Sequence, residues 1–456
     1  MARLIAVTGL GFGDCGKGLF TDVLCRASGA HAVVRFNGGA QAGHNVVLPG
    51  GRHHTFSQYG SGSFLPHIVT LITEGMVVHP SALIEETRVL ERSGVADPLS
   101  RLMIDGSCLV TTPFHQAANR LRELLRSEPH GTCGVGVGET VRLALDEPEA
   151  ALRYRDLFDS RAALDKLEEI RLCLLRDMDL ADPPDTLVGE REAGLLRDAD
   201  IGGRWLTMLA ELLARAMPTP RETISGVMRR DGFVILEGAQ GVLLDQDVGF
   251  HPHTTWSSIL PQSAQALSDE LVGGVQVFKL GVLRTYLTRH GSGPLPTYDA
   301  ALDTIAEPHN HSSGWQGAFR RGHPDAVLLR YACDAAQSLD GLMISHLDYF
   351  DGARSLNWCD AYRVPHAFAT SAEPSHSACH IDVLPKPAKD DWAARRRLTE
   401  LLFAAQPQYA DNTVTGAEEA IMHFEAVSGV PVIYGAYGPT HQDVKQRRTL
   451  PWPMHA

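Results

Sequence analysis

The sequence has no paired cysteines, no long apolar run and no basic stripe. Its eight cysteines are scattered over 456 residues without a C-x-x-C pair, which argues for reduced thiols and against a disulfide framework or a structural zinc site. No apolar run reaches about 18 residues, and no signal-peptide pattern precedes the first strand pattern. The net charge is −13 and no lysine-rich tail is present. We therefore expect a cytoplasmic protein with no nucleic-acid or membrane partner.

Strand-like and helix-like stretches alternate along the whole chain. Short apolar, β-branched runs predict strands at residues 3–9, 32–36, 68–72, 233–236, 275–280, 341–344 and 430–434. Apolar residues at helical spacing predict helices at residues 18–27, 116–126, 204–216 and 392–405. This alternation is typical of an α/β fold with a large, mainly parallel central sheet flanked by helices. We expect a single domain over residues 1–456, with a helical insertion at about residues 152–216.

A glycine-rich loop follows the first predicted strand. Residues 11–17 read G-F-G-D-C-G-K, which has the G-x-x-x-x-G-K spacing of a phosphate-binding loop. The predicted strand before it and the helix after it would turn backbone N–H groups toward phosphate oxygens, as in P-loop NTPases. Gly18 stands where such loops carry the hydroxyl that holds Mg²⁺. Asp14 is the obvious replacement, and we expect it to bind a metal ion, to accept a proton, or both.

Three more clusters follow predicted strands, where open α/β sheets bind ligands. Residues 35–45 read R-F-N-G-G-A-Q-A-G-H-N, and His44 within them can donate a proton near neutral pH. Residues 236–247 read L-E-G-A-Q-G-V-L-L-D-Q-D, and the amide of Gln240 can both donate to and accept from a base edge. Asp348 can accept two hydrogen bonds from guanine. The alternatives are a structural histidine, a tight turn and a capping aspartate, respectively.

Two weaker features are also visible. The irregular loop at residues 288–297, T-R-H-G-S-G-P-L-P-T, is punctuated by glycine and proline, and we expect it at the ligand edge of the sheet. His309 and His311 are two residues apart, but no acidic or cysteine partner stands at metal-ligand spacing. A metal site at these histidines is therefore not favoured.

Taken in order, these clusters resemble the motifs of the adenylosuccinate synthetase family. The family's W-G-D-E-G-K-G-K, G-G-x-N-A-G-H-T, E-G-A-Q-G-x-L-L-D, T-R-x-G-x-G-P-F-P-T-E, K-L-D and S-T-G-P are matched by F-G-D-C-G-K-G-L, G-G-A-Q-A-G-H-N, E-G-A-Q-G-V-L-L-D, T-R-H-G-S-G-P-L-P-T-Y, H-L-D and A-Y-G-P. The matches span residues 4–439. The resemblance implies a ligase in which GTP phosphorylates the 6-oxygen of IMP. The amine of aspartate then displaces the phosphate, giving adenylosuccinate, GDP and phosphate.

The resemblance also implies roles for individual residues. Asp14 would take the N1 proton of the purine, His44 would stabilise the transferring phosphoryl group, Lys17 would hold phosphates, and Gln240 would help to activate the purine. Mg²⁺ would be held by Asp14 and the Gly43 carbonyl. The implied GTP contacts are Gly13, Asp14, Gly16, Lys17, Gly18, Gly43, His44, Asn45, His346, Leu347, Asp348, Ala436, Tyr437 and Gly438. The implied contacts to the purine nucleotide are Gln41, Thr132, Cys133, Gln240 and Thr255. The implied amine-substrate loop contains Gly314, Gln316, Arg320 and Arg321.

Several positions depart from the family pattern. Gln41 and Cys133 replace a nucleotide-binding asparagine and a phosphate-binding threonine of the family. Residues 312–322, S-S-G-W-Q-G-A-F-R-R-G, lack the first arginine of the family's aspartate-binding loop. Gripping a dicarboxylate calls for bidentate arginine donors. A paralogue that uses another amine, or another 6-oxopurine nucleotide such as dGMP or a nucleoside-antibiotic precursor, is therefore the alternative.

Two further expectations concern assembly and catalysis. The family implies a homodimer, in which an arginine reaches across the interface, and Arg142 is the candidate for that arginine here. A nucleotide-binding regulatory protein without catalysis is a third reading of the chain. The presence of both Asp14 and His44 argues against it, because binding alone requires neither.

Overall fold

The computed structural model describes residues 1–127, 131–178, 184–310, 314–368, 378–411 and 413–452. Its α-helices, in chain order, are α1 (Lys17–Ser28), α2 (Pro80–Arg92), α3 (Pro113–Leu125), α4 (Val137–Asp146), α5 (Ser160–Asp177), α6 (Leu187–Arg197), α7 (Ile201–Met208), α8 (Ala210–Arg215), α9 (Arg221–Met228), α10 (Pro261–Val272), α11 (Ala326–Ala336), α12 (Trp392–Ala404) and α13 (Ala417–Ser428). Its strands are β1 (Ala2–Gly9), β2 (Ala32–Arg35), β3 (His44–Val47), β4 (His53–Phe56), β5 (Val69–Ile72), β6 (Leu102–Asp105), β7 (Pro218–Thr219), β8 (Gly232–Glu237), β9 (Val277–Arg284), β10 (Leu287–His290), β11 (Phe319–Gly322), β12 (Gly341–Ser345), β13 (Cys359–Pro365), β14 (Ala378–Ile381), β15 (Gln406–Tyr409), β16 (Val432–Ala436) and β17 (Val444–Gln446).

A ten-stranded sheet forms the centre of the fold. Its order is β17-β16-β12-β9-β1-β8-β2-β5-β6-β7. All neighbours pair in parallel except β16 and β17, which are antiparallel. Smaller sheets pair β10 with β11, β3 with β4, and β13 with both β14 and β15. The predicted α/β class with a large, mainly parallel sheet is confirmed.

The sheet is covered by helices on both faces, as alternate side chains of β1 show. Ile5 and Val7 belong to a buried cluster that includes α1 residues such as Phe20. Leu4 and Ala6 belong to another cluster, with residues of α9 and α10. Because successive strand residues point to opposite faces, a strand between two helical layers has to be apolar on both sides. This explains why β1 appears in the sequence as a continuous apolar run.

The predicted elements agree closely with the observed ones, with one helix as the exception. Each of the seven predicted strands corresponds to a strand of the central sheet, with ends shifted by a few residues. The helix predicted at residues 204–216 is instead two helices, α7 and α8. Leu209 separates them, and its N–H is shared between the carbonyls of Trp205 and Leu206, a tightened turn that interrupts the regular helix.

Helices α3 to α8 all lie between β6 and β7 in the chain. Buried residues of these helices form one cluster with residues of β3 to β6. The single-domain organisation remains a prediction. In the described part of the chain, no helix combines the length and the apolar character needed to cross a membrane.

Strand register brings the ends of five neighbouring strands to one edge. Glu237 of β8 is level with Val7 of β1 and with Arg35 of β2. Gly9 pairs with Val282 of β9, and Arg284 at the end of β9 pairs with Ser345 at the end of β12. The glycine-rich segments that follow β1, β2 and β8 therefore emerge side by side.

Candidate active site

The phosphate loop between β1 and α1 has an unusual backbone. Gly13 and Gly16 have φ angles of 95° and 94°, and Asp14 has a φ of 48°. Such left-handed angles are ordinary for glycine but uncommon for other residues, among which aspartate and asparagine tolerate them best. The buried Lys17 donates from Nζ to the backbone oxygen of Gln240 at 2.5 Å. The loop is thereby joined to the segment that follows β8.

The position of Gly18, where a hydroxyl residue is usual, is explained by close packing. A Cβ added to Gly18 would lie 2.7 Å from the backbone oxygen of Asn45 and 2.9 Å from the carbonyl carbon of His44. Strand β3 therefore occupies the space that a serine or threonine side chain would need. Glycine at this position therefore allows the loop to pack closely against the strand that carries His44, and the usual hydroxyl is absent.

This contact predicts the effect of restoring the hydroxyl. We expect Gly18→Ser to lower the free energy of unfolding by about 1–3 kcal/mol, the usual cost of overpacking a well-filled site. Urea unfolding of the purified protein measures the change. Gly203→Ser is the control, because a Cβ at Gly203 would meet nothing within 4 Å. Equal stability of Gly18→Ser and wild type would show that β3 moves to accommodate the side chain without a loss of unfolding free energy.

His44 is held by a buried carboxylate at the end of β8. Its Nδ1 lies 2.7 Å from Oε1 of Glu237, and both side chains are buried. Glu237 also accepts hydrogen bonds from the backbone N–H of Ser61 at 2.9 Å and from the Ser61 hydroxyl. His44 Nε2 has no hydrogen-bond partner among the described residues. The imidazole is therefore fixed through one nitrogen, and the other remains available to a ligand.

Burial and charge fix the protonation of this pair. Burial lowers the pKa of His44 to about 4, although Glu237 opposes the shift. Burial by itself would raise the pKa of Glu237, but the attraction of His44, hydrogen bonds and Arg35 lower it to about 2. At neutral pH the pair is an imidazole that donates Nδ1–H to a carboxylate, so Nε2 carries the lone pair. A negatively charged phosphate beside Nε2 would favour its protonation.

Gln240 presents a side-chain amide to the cavity. It has a φ of 45°, and neither of its side-chain polar atoms has a hydrogen-bond partner among the described residues. Asn37 holds this segment in place, because its Oδ1 accepts from Ala239 N at 2.8 Å while its Nδ2 donates to Ser258 O at 2.9 Å. A buried, unpaired amide is costly unless a ligand satisfies it. Gln240 is therefore suited to a polar edge such as that of a purine.

One cavity of about 730 Å³ collects most of these groups. The predicted residues in its wall are Gly13, Asp14, Lys17, Gln41, Gly43, His44, Asn45, Thr132, Cys133, Gln240, Thr255 and Gln316. The predicted residues outside its wall are Gly16, Gly18, Gly314, Arg320, Arg321, His346, Leu347, Asp348, Ala436, Tyr437 and Gly438. Three chain segments far apart in sequence thus place Asp14, Lys17, His44 and Gln240 around the same space.

Three residues of the cavity wall, Thr132, Cys133 and Arg142, follow β6 in the chain. Thr132 donates from its hydroxyl to Asn119 Oδ1 at 3.1 Å. Burial raises the pKa of the Cys133 thiol, which therefore stays protonated at neutral pH. Arg142, also in the wall, binds Glu139, Asp146 and Asp177 of its own chain at 3.0 to 3.1 Å. The role of Arg142 across a dimer interface remains a prediction.

The segment predicted to bind the guanine base of GTP lies beside the phosphate loop. It follows β12, and the Ser345 hydroxyl donates to the backbone oxygen of Cys15 at 2.9 Å. His346 is partly buried, and burial followed by the charge of Arg284 lowers its pKa well below the usual value. Arg284 is neutralised by Glu307 at 2.8 Å. Asp348 lies in a short 3-10 helix, Leu347–Phe350, and burial raises its pKa.

The amine-loop arginines make contacts within the protein. Arg320 Nη2 donates to the Gly293 carbonyl at 2.5 Å, and Arg321 Nη2 donates to the Ile305 carbonyl at 2.8 Å. Gly314 has a φ of 101°, and Gln316 lines the cavity. Ser312 and Ser313 of this loop lie outside the described residues, as does His311.

The donor set of the cavity fits Mg²⁺. Asp14 offers a carboxylate and Gly43 a backbone carbonyl, and both line the cavity. Mg²⁺ is usually held by one or two protein oxygens together with water and substrate phosphates. Within the described residues no cluster of three or more His, Cys, Asp or Glu is arranged to hold a metal ion. An all-protein cage is therefore not the arrangement that these residues offer.

Sequence reasoning missed two functional candidates. Glu237 stands within the E-G-A-Q-G motif without a predicted role, although a glutamate that ends an apolar strand indicates a buried, paired charge. His290 lines the cavity, and its Nε2 lies 3.7 Å from Asp14 Oδ2. In the sequence it is a single histidine in a glycine-rich loop. No local pattern there connects it to Asp14, which lies near the start of the chain.

Comparisons with known proteins show the family of this chain. The adenylosuccinate synthetase family model matches residues 6–441. The adenylosuccinate synthetases of Proteus mirabilis and Edwardsiella ictaluri are each 30% identical to this chain, and each alignment covers 97% of the chain and 98% of the relative.

Two solved structures share the fold. The first, a fully ligated adenylosuccinate synthetase from Plasmodium falciparum, has a TM-score of 0.74 at 20% identity and covers 98% of this chain and 100% of its own. The second, the succinoaminodeoxyadenylate synthetase of cyanophage S-2L, has a TM-score of 0.58 at 16% identity and covers 98% of this chain and 96% of its own. At these identities, the two likenesses support the fold alone.

The class of protein is thus an α/β enzyme, a carbon–nitrogen ligase of purine biosynthesis. The chain belongs to the adenylosuccinate synthetase family.

Proposed function

We propose that this protein uses GTP to phosphorylate the 6-oxygen of IMP and then joins aspartate to carbon 6, giving adenylosuccinate, GDP and phosphate. The observation that carries the proposal is the meeting of Asp14, Lys17, His44 and Gln240 in one cavity wall. Membership of the family supports it. By the same reasoning, we propose a cytoplasmic homodimer.

The first half-reaction needs a nucleophilic 6-oxygen. A purine with a 6-oxo group carries a proton on N1, and removing that proton places negative charge on the oxygen. Asp14 is a carboxylate in the cavity and would accept the proton. The amide of Gln240, whose polar atoms have no hydrogen-bond partner within the described part of the chain, would hold the purine edge.

The transferring phosphoryl group needs positive charge around it. Lys17 and the N–H groups at the start of α1 would bind the phosphates. Nε2 of His44, protonated on contact with phosphate, would stabilise charge that develops during transfer. Asp14 and the Gly43 carbonyl would hold Mg²⁺, which neutralises phosphate oxygens.

The second candidate is a paralogue that uses another amine or another 6-oxopurine nucleotide. Arg320 and Arg321 donate to backbone carbonyls and do not line the cavity. They therefore do not form the bidentate hydrogen bonds by which arginines usually bind a dicarboxylate. Gln41 and Cys133 alter the purine-nucleotide side of the wall. The cyanophage relative of the same fold is described as bound to dGMP, which makes a deoxynucleotide worth testing.

Phosphate release distinguishes the two candidates. We expect release only when GTP, Mg²⁺, a purine nucleotide and an amine are all present, with IMP and aspartate as the best pair. The assay crosses IMP and dGMP with a panel of amines, and mass spectrometry identifies each product. Absence of turnover with IMP and aspartate, together with turnover for another pair, would replace the first candidate by the second.

A further inference from the structure

Arg289 places a buried guanidinium in the cavity wall. Only 2% of the residue is exposed, and it is one of the residues that line the cavity. It donates from Nη1 to the Pro294 carbonyl at 3.0 Å and from Nη2 to the His253 carbonyl at 3.2 Å. Among the described residues, its Nε has no hydrogen-bond partner and no carboxylate forms an ion pair with it. Because a guanidinium has more N–H donors than these two bonds use, part of its donor capacity remains for a ligand.

A second guanidinium lies directly across the strand pair. Strands β10 and β11 are antiparallel, and Arg289 of β10 pairs with Arg320 of β11. Both side chains approach Gly293, because Arg320 Nη2 donates to its carbonyl at 2.5 Å and a Cβ added to Gly293 would overlap the guanidinium of Arg289. The Nε of Arg320 also has no hydrogen-bond partner in the described part of the chain. Like charges at directly opposite positions of an antiparallel pair are destabilising.

This arrangement of positive charge calls for a negative charge beside it. Burying an ion without a partner of opposite charge is costly, and arginine does not escape the cost by losing its proton. The ring of Phe12, whose centre is 4.1 Å from the guanidinium carbon of Arg289, offsets only part of this cost. The buried Arg284, by comparison, pairs with Glu307 at 2.8 Å. An anion in the cavity would give Arg289 the partner that Arg284 finds within the protein.

We propose that Arg289 binds an anionic oxygen of a substrate, and that Arg320 adds to the positive potential at this point. The proposal rests on the proposed function, whose substrates carry two kinds of anionic group, the phosphates of the nucleotides and the carboxylates of the amino acid. Both kinds accept hydrogen bonds from a guanidinium in pairs. Arg289 is absent from the substrate contacts that the family resemblance implies. It is therefore an additional binding residue, and the source of the anion is decided by experiment.

The test compares the affinities of wild type and Arg289→Gln for each substrate by titration calorimetry with Mg²⁺ present. GTP and IMP are titrated singly, and aspartate is titrated into protein saturated with GDP and IMP. We expect binding to weaken by about 10- to 100-fold for the substrate that supplies the anion, as loss of a hydrogen bond to a charged group does. A loss confined to aspartate assigns a carboxylate, and a loss confined to GTP or IMP assigns a phosphate. Unchanged affinity for all three substrates, or an equal loss for all three, would overturn the proposal.

Arg395→Gln is the matched control. Arg395 is also 2% exposed, donates to the Lys389 carbonyl at 3.0 Å and has its guanidinium carbon 4.6 Å from a ring centre of Trp392, but it lies outside the cavity wall. This variant should bind all three substrates as the wild type does.

A second variant and a separate assay complete the design. Arg289→Lys keeps the charge but not the planar fork, so it should recover only part of the affinity. It replaces Arg289→Gln if the latter does not fold, and affinity equal to that of the wild type would then reject the proposal. Failure of the proposed function is seen elsewhere, as a wild type that binds its ligands but releases no phosphate with IMP and aspartate. If the wild type does not bind aspartate, the amine and nucleotide that support phosphate release take the places of aspartate and IMP.

Discussion

Asp14→Asn is expected to reduce turnover by about 10²- to 10⁴-fold, the range for losing a general acid or base. The amide cannot accept the N1 proton and is a poorer ligand for Mg²⁺. Asparagine tolerates the left-handed backbone that Asp14 adopts, so the loop should keep its shape. Phosphate release and titration with GTP measure the two effects, and we expect GTP to bind still.

A second aspartate in a similar backbone conformation provides the control. Asp97 has a φ of 40°, binds Arg215 at the surface and does not line the cavity. Asp97→Asn should leave turnover unchanged. Full activity of Asp14→Asn would remove Asp14 as the base and, with it, the proposed first half-reaction.

Glu237→Gln is expected to cost about 1–3 kcal/mol of stability, as leaving a buried hydrogen-bond donor without its acceptor does. The carboxylate accepts from His44 and from two donors of Ser61, and an amide would turn an NH₂ group toward one of these donors. Turnover should fall as well, because His44 loses the partner that orients its ring. Urea unfolding and phosphate release measure the two losses.

The stability effect should depend on pH in a defined direction. Glu237 has a pKa of about 2 in the folded protein and about 4.3 when unfolded, so its contribution is present above about pH 4.3 and is lost as pH falls toward 2. His44 has a folded pKa of about 4, below its unfolded value of about 6.5, so folding also weakens as pH falls through that interval. The free energy of unfolding of the wild type should therefore exceed that of Glu237→Gln by the largest margin at neutral pH. This difference should become smaller in acid.

Glu86→Gln is the control that distinguishes an effect on stability from an effect on catalysis. It is also a buried carboxylate, it accepts backbone hydrogen bonds from Ser57, Gln58 and Tyr59, and it lies 3.8 Å from His54. It does not line the cavity. Glu86→Gln should lower stability but not the turnover of the folded fraction. If both variants lose the same activity, the role of Glu237 is structural only.

The fold could be predicted because each central strand is an apolar run between helices. Parallel pairing then places the segments after β1, β2 and β8 at one edge, which is why Asp14, His44 and Gln240 could be expected near one another. The hairpin of β3 and β4 was not predicted, because β3 reads H-N-V-V and β4 reads H-H-T-F, and neither is an apolar run.

Other features depend on contacts that no local pattern encodes. The glycine at position 18 follows from the close approach of β3, and the pairing of His44 with Glu237 joins residues 193 apart. The contacts of Arg320 and Arg321 with carbonyls depend on how β10 and β11 pair. The sequence shows that these positions carry ionisable side chains, but only the three-dimensional structure shows which groups they contact.

The two borders of the central sheet discourage strand-to-strand association. One border is β7, with two residues of which one is Pro218, and the other is β17, with three residues including the exposed Lys445. Short length, proline and lysine are the devices by which natural proteins keep a sheet from recruiting foreign strands. A ten-stranded sheet could otherwise template aggregation, and contact between two copies of this chain is more favourable through helices or loops than by extending the sheet.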